Sequence, residues 1–176
     1  EQHTPEGFGH AVYQAKKFVG DDPFLLMLGD HIYISNTKER CARQIIKVYE
    51  QYMLDTVTAV QPTLERLIYL VGVIRGAPVD PSKGIYKADL ISEKPSVDFA
   101  RASLVTPGLP AGNYLAHFGM HVFSPRIFDS LEHLIKNNLR EKNEIQLTAA
   151  QEHLRQNSDK YWCVDVQGQR YDTGIP

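Results

Sequence analysis

Short apolar runs of strand length alternate along this chain with segments in which apolar residues recur at helical spacing. The clearest run, Phe24 to Leu28, predicts a strand that is buried on both faces of a sheet. Residues 10–19 and the stripe between Cys41 and Met53 instead repeat apolar side chains every three or four positions, as amphipathic helices do. This alternation is typical of an α/β fold.

Length and composition narrow the class of protein. The 176 residues suit one domain, and 43% hydrophobic residues give enough apolar surface to exclude a disordered chain. No apolar run approaches the ~18 residues of a membrane-spanning helix, and a net charge of −2 argues against nucleic-acid binding. Cys41 and Cys163 lack zinc-ligand spacing, and a reducing cytoplasm is the expected compartment.

The remaining elements follow from the same patterns. Two Pro- and Gly-containing segments, 76–84 and 105–112, are predicted to be loops and are candidate edges of a binding cleft. Strands are predicted at 56–61, 70–74, before Ile91, at 114–123 and at 161–166, and helices at 98–104, after Ser124-Pro125 and at 145–154.

Several polar residues stand where chemistry is often found. Asp30 follows the Phe24–Leu28 run, and a carboxylate beyond the carboxyl end of a strand can hold Mg²⁺, although it can equally be an ordinary turn residue. Glu93-Lys94 is a candidate hydroxyl acceptor and phosphate-binding cation, or else a solvated ion pair. Asp172 follows the predicted strand at 161–166 in a segment with Gly and Thr, where an ordinary turn residue is the simplest interpretation.

Gly7-Phe8-Gly9 precedes a helical segment, where glycines let a ligand approach backbone N–H groups. An ordinary turn is the alternative. Four of the seven histidines, namely His10, His31, His117 and His121, are scattered along the chain, and no HExxH or Ser/His/Asp arrangement is visible. Surface or supporting roles are therefore expected for most of the histidines.

A series of short motifs runs through nearly the whole chain: Gln2 to Ala11, Gly20 to Phe24, Leu28 to Asp30, Gly72-Val73, Glu93 to Pro95, Gly119 to Pro125 with Ile127-Phe128, Asn143 to Thr148, and Tyr171 to Gly174. In their order, these motifs resemble those of the sugar-phosphate nucleotidyltransferases, and most closely those of the bacterial UTP–glucose-1-phosphate uridylyltransferases (UDP-glucose pyrophosphorylases).

The resemblance implies a Rossmann-like nucleotide-diphospho-sugar transferase fold, with a mixed, mainly parallel sheet and helices on both faces. It also implies transfer of a nucleotidyl group from UTP to glucose 1-phosphate, giving UDP-glucose and pyrophosphate. The implied roles are nucleotide binding by Gln2, Gly7 and Phe8, sugar binding by Gly72, Glu93 and Lys94, Mg²⁺ binding by Asp30 and Asp172, and catalysis by Lys94 and Asp30.

The family's N-terminal Gly-rich loop has no counterpart in this sequence. We therefore expect residues 1–176 to be the central and C-terminal part of a single nucleotidyltransferase domain, inactive alone and missing a central strand. Homo-oligomers are expected, without nucleic-acid or membrane partners. Thymidylyl or other nucleotidyl transfer, and a non-catalytic regulatory homologue, remain as alternatives.

Overall fold

The computed structural model describes Gln2 and residues 4–174; His3, which belongs to one of the matched motifs, lies outside the described residues. The helices are α1 (Phe8–Tyr13), α2 (Lys16–Val19), α3 (Cys41–Tyr52), α4 (Val97–Ser103), α5 (Arg126–Lys136) and α6 (Leu147–Gln156), with 3₁₀ turns at Glu65–Leu70 and Pro81–Lys83. The strands are β1 (Phe24–Met27), β2 (His31–Ser35), β3 (Thr56–Leu64), β4 (Gly72–Asp80), β5 (Ile85–Glu93), β6 (Asn113–Phe123), β7 (Tyr161–Asp165) and β8 (Gly168–Asp172).

Six strands form one sheet in the order β1-β6-β3-β7-β5-β4, and β2 and β8 form a separate antiparallel ribbon. The α/β class and the mixed sheet are confirmed. The expectation of mainly parallel strands is wrong for the described residues, because β3–β7 is parallel whereas the other pairings of the sheet are antiparallel. β6 runs antiparallel to its neighbours β1, β3 and β4, and β5 runs antiparallel to β4 and β7.

Helices cover both faces of the sheet, as expected. One core lies between the sheet and α1, α5 and α6, and it contains the fully buried Phe123, Phe128 and Tyr161. A second lies under α3, where Ile45 packs with Phe118. These two cores follow the alternation of side chains along β6, since successive residues of a strand point to opposite faces. A third, smaller core contains Ile68, Leu104 and Tyr114.

Two local predictions are wrong. β1 is not buried on both faces, since it lies at the end of the sheet, and Leu25 and Met27 are exposed. Residues 76–84 are not a loop, because β4 continues to Asp80 and a tight turn leads directly into β5. Each described helix falls short of the length and hydrophobicity that crossing a bilayer demands.

The end of β7 supplies a test of the packing. Burial raises the pKa of the Asp165 carboxyl to about 6. A carboxyl with a higher pKa in the folded protein binds more protons when folded, so its contribution to stability is lost as the pH rises from 3.8 through about 6. At pH 8 the half-buried carboxylate therefore opposes folding.

We expect Asp165→Asn to raise the Tm at pH 8 by roughly 2–4 °C, about 1 kcal/mol after allowance for partial exposure, and to have little effect at pH 4. Thermal unfolding followed by circular dichroism measures both. Asp159→Asn, at an exposed carboxyl, is the control. An equal gain at the two pH values would contradict burial as the cause.

Candidate active site

A cleft of about 630 Å³ lies on the α6 face of the sheet and gathers most of the residues singled out from the sequence. Its walls are the ends of β1, β4 and β5, the β2–β8 ribbon, and the segment that leads into α6. Six of the eight candidate site residues line it: Phe8, Asp30, Gly72, Glu93, Lys94 and Asp172. The predicted loop edges, 76–84 and 105–112, do not contribute to this cleft, so that expectation is wrong.

The cleft opens where two neighbours of β6 diverge. β1 pairs with residues 120–123 and β4 with residues 115–116. Between these pairings, the Gly119 carbonyl accepts a hydrogen bond from the Leu28 N–H at 3.1 Å, and the His117 carbonyl accepts one from Arg170 Nη1 at 2.9 Å. A gap between diverging strands is a common place for ligands in α/β proteins.

The N-terminal candidates lie together beside the cleft. Gln2 Nε2 donates to the Gly7 carbonyl at 3.4 Å and lies 3.0 Å from His10 Nδ1. Gly7 has φ 105°, and a Cβ there would meet the Ile145 carbonyl at 2.8 Å, so only glycine fits without strain. Phe8 follows, 40% exposed.

The β2–β8 ribbon brings Asp30, His31 and Asp172 together. His31 pairs in register with Asp172. His31 Nε2 lies 3.4 Å from Asp172 Oδ2 and 3.9 Å from Asp30 Oδ1. One side-chain atom from each of the three residues lies within 4.8 Å of those of the other two, a grouping that can hold a metal ion. At this end of the ribbon, Thr173 joins β8 to β2 through hydrogen bonds of 2.8 and 2.7 Å from its N–H and hydroxyl groups to the Asp30 carbonyl.

The β4–β5 hairpin supplies the opposite wall. Gly72 and Glu93 are register partners, and Glu93 Oε2 accepts a hydrogen bond from Thr148 Oγ1 at 2.6 Å. Lys94 Nζ lies 3.9 Å from Glu93 Oε1, and Lys94 has φ 42°, a conformation that non-glycine residues seldom adopt. Such local strain often accompanies a functional position.

Two histidines of β6 face the cleft, and the sequence patterns did not single them out. Burial, together with the nearby Arg170 charge, lowers the pKa of His117 to about 4, and burial lowers the pKa of His121 well below its usual value. His121 Nδ1 lies 3.1 Å from Thr58 Oγ1 and 3.0 Å from Gln151 Nε2. Both imidazoles are therefore neutral at pH 7.

Other cleft residues were also missed by the sequence analysis, namely His31, Thr148, Gln151 and Arg170. His31 adjoins Asp30 in sequence, but its approach to Asp172 depends on the β2–β8 pairing, for which no strand had been predicted. Arg170 lies two residues before Asp172 on the same strand, so a β8 prediction would have placed it near the cleft.

Comparison with known proteins identifies relatives. The model of the nucleotidyl transferase family matches residues 1–175. The UTP–glucose-1-phosphate uridylyltransferases of Staphylococcus epidermidis (strain RP62A) and Bacillus subtilis (strain 168) are each 34% identical to the chain over 173 residues. A crystal structure of UDP-glucose pyrophosphorylase complexed with UDP-glucose has a TM-score of 0.78 and 26% identity, and the match covers 98% of this chain and 59% of that one.

The chain spans about half the length of the curated relatives it matches. The matches cover 98% of this chain, but 53% of the Staphylococcus protein and 52% of the Bacillus protein.

The contact between β6 and the β2–β8 ribbon can be tested with a matched pair of glycines. Gly119 has φ 87°, and a Cβ there would lie 2.5 Å from His31 Nδ1 and 2.8 Å from the Tyr33 hydroxyl. Gly108 has φ 89°, but a Cβ there would meet nothing within 4 Å.

Both alanine variants carry the backbone strain, and only Gly119→Ala adds the collision. We expect Gly119→Ala to lower the free energy of unfolding by about 1–3 kcal/mol more than Gly108→Ala, as urea denaturation would measure. Equal losses would mean that the ribbon does not pack against β6 in this way.

Proposed function

The chain belongs to the nucleotidyl transferase family, and on this basis we propose that it is part of an enzyme that transfers a uridylyl group from UTP to glucose 1-phosphate. The products are UDP-glucose and pyrophosphate. One observation carries the proposal: a single cleft has two neighbouring carboxylates on one wall and a glycine, a glutamate and a lysine on the other. We propose that residues 1–176 form the central and C-terminal part of a single nucleotidyltransferase domain.

The carboxylate wall suits a divalent cation. Asp30 and Asp172 would hold Mg²⁺, because carboxylate oxygens are the ligands that this ion prefers. Imidazole suits transition metals better than Mg²⁺, so we assign His31 the role of orienting the Asp172 carboxylate, 3.4 Å away. When bound, the ion supplies positive charge against the phosphates.

The hairpin wall suits a sugar phosphate. The Glu93 carboxylate, held by Thr148, can accept hydrogen bonds from sugar hydroxyls, and its register partner Gly72 has no side chain to obstruct the ring. Lys94 extends from the end of the same strand with 46% of its side chain exposed, so its ammonium group can reach a phosphate. Its position next to Glu93 fits a ligand with a sugar at one end and a phosphate at the other.

The N-terminal segment suits the base of the nucleotide. We assign Gln2 to the edge of the pyrimidine, because its amide offers both a donor and an acceptor, with Gly7 and Phe8 beside it. The Gln2 amide donates a hydrogen bond to the Gly7 carbonyl, and the Gly7 backbone packs directly against that of Ile145. A ligand that approaches this backbone meets no side chain at position 7.

The reaction needs positioning and charge neutralisation more than a covalent nucleophile. An oxygen of the sugar phosphate attacks the α-phosphorus of UTP. The bond from that phosphorus to the oxygen bridging to the β-phosphate breaks, and its electron pair leaves with pyrophosphate. Lys94 lowers the repulsion between the two anions, and Glu93 and Gly72 fix the sugar so that its phosphate lies in line.

We also propose a cytoplasmic enzyme that works as a homo-oligomer and has no nucleic-acid or membrane partner. The net charge of −2 supports the lack of a nucleic-acid partner, because it provides no broad attraction to a phosphate backbone.

Pyrophosphate release by the full-length protein tests the proposed function. With Mg²⁺, we expect release from UTP and glucose 1-phosphate to exceed that from every other pair in a panel of nucleoside triphosphates and sugar 1-phosphates. Asp172→Asn should lower the rate at least about tenfold, whereas Asp22→Asn, at an exposed carboxyl, should not. Faster turnover with dTTP would assign thymidylyl transfer, and no release from any pair would contradict an enzyme and favour a regulatory homologue.

The role of Lys94 can be tested in the same assay. We expect Lys94→Ala to raise the KM for glucose 1-phosphate and to lower kcat, each about tenfold or more. The reason is that the ammonium charge stabilises the bound sugar phosphate and stabilises the transition state further. Lys94→Arg should retain only part of the wild-type activity, because a planar guanidinium group cannot take the position of the compact ammonium group. Lys38→Ala, at an exposed lysine, is the control, and unchanged kinetics in Lys94→Ala would refute the assignment.

A further inference from the structure

His117 has a ring nitrogen that the folded protein leaves without a partner. Its Nε2 atom is buried and makes no hydrogen bond within the described residues. An unpaired polar atom in the interior destabilises a folded protein, so its presence requires an explanation. The neighbouring His121, whose ring centre is 5.4 Å away, has Nδ1 within hydrogen-bonding distance of Thr58 and Gln151. Among the described residues, the His117 ring therefore lacks the side-chain hydrogen bonds that hold His121, and Nδ1 is the nitrogen that borders the cleft beside Gly72.

The ring of His117 lies at the gap that Gly72 creates. A Cβ on residue 72 would lie 2.8 Å from His117 Nδ1 and 3.2 Å from Glu93 Oε2, so both groups lie close to the same point. The His117 backbone is fixed on one edge by Arg170 and on the other by its register pairing with Val60. The imidazole and the Glu93 carboxylate thus face one small space on a rigid strand.

The chemistry of the ring limits what it can bind there. With a pKa of about 4, the imidazole is neutral at pH 7 and offers one N–H donor and one acceptor nitrogen. That combination matches a hydroxyl group, which is itself a donor and an acceptor. A phosphate would be better served by a cation, and Lys94 already supplies one on the same wall.

We propose that His117 determines sugar specificity because its Nδ1 atom hydrogen-bonds one hydroxyl group of the sugar 1-phosphate while Glu93 binds another. The inference rests on the proposed function, which puts the sugar beside Gly72 and Glu93. It adds a discriminating contact from β6 to those that Gly72 and Glu93 supply from the hairpin.

Monodeoxy analogues of glucose 1-phosphate, lacking the hydroxyl at position 2, 3, 4 or 6, give the sharpest test with the full-length protein. We expect His117→Phe, which keeps a ring but has no ring nitrogen, to lower kcat/KM for glucose 1-phosphate about tenfold to a hundredfold. The KM for UTP should not change. The wild-type preference for glucose 1-phosphate over one particular deoxy analogue should disappear, while its preferences over the others remain.

Two variants complete the test. His117→Asn can place an amide near the position of Nδ1, and it should recover activity to within about threefold of the wild type and keep the preference. His133→Phe makes the same chemical change at an exposed histidine of α5 and should leave all preferences intact. Should His117→Phe fail to fold by circular dichroism, His117→Leu serves in its place.

The outcomes separate this inference from the proposed function. An active wild type, with all four preferences unchanged in the His117 variant or all reduced together, would overturn the role of His117 alone. A full-length protein that turns over no sugar 1-phosphate would overturn the proposed function and, with it, this inference.

Discussion

The backbone pairing of β6 is the constraint on which the rest of the molecule depends. This strand of 11 residues pairs with β3 along one edge and with β4 and then β1 along the other. Its backbone groups are buried, and each must find a partner. Where β4 and β1 separate, Leu28 and Arg170 supply the missing donors, and the cleft opens at that point. The site is thus a consequence of how one buried strand satisfies its hydrogen bonds.

The same strand gives the two faces of the sheet opposite characters near the site. Phe118 and Met120 point into the apolar core beneath α3, whereas His117, Gly119 and His121 point toward the cleft. Burial keeps both imidazoles neutral, so the cleft floor is polar but carries no charge of its own. The charged groups stand on the walls, where water and ligands can reach them. Asp30 and Asp172 stand on the ribbon wall, whereas Glu93 and Lys94 stand side by side on the hairpin wall, so the two walls present different charge patterns to the cleft.

Local patterns in the sequence predicted elements better than their pairing. The helical stripe from Cys41 and the strand ending at Phe123 were predicted correctly, because burial on one face fixes periodicity. The ribbon of β2 and β8 was not, since its outward residues Ile32 and Ile34 are exposed and the pairing is nonlocal. The motifs placed Asp30 and Asp172 in one site, and the structure brings them together. His31 was missed because its position in that site depends on the pairing of β2 with β8, which lies more than a hundred residues away in sequence.

Register in the β4–β5 hairpin decides which side chain faces Gly72. Two bulges interrupt the pairing: Asp89 is the extra residue on β5, and Val79 is the extra residue on β4. Because the bulges lie on opposite strands, their shifts cancel, and Gly72 pairs with Glu93 as it would in a regular hairpin closed at Pro81–Lys83. Loss of either extra residue alone would move the pairing by one position and turn the neighbouring side chain toward the cleft. The Arg75–Asp89 ion pair of 3.3 Å joins the partner strands beside the first bulge. The hairpin wall of the cleft therefore depends on two bulges that lie away from Gly72 and Glu93, which is why a strand pattern alone could not locate it.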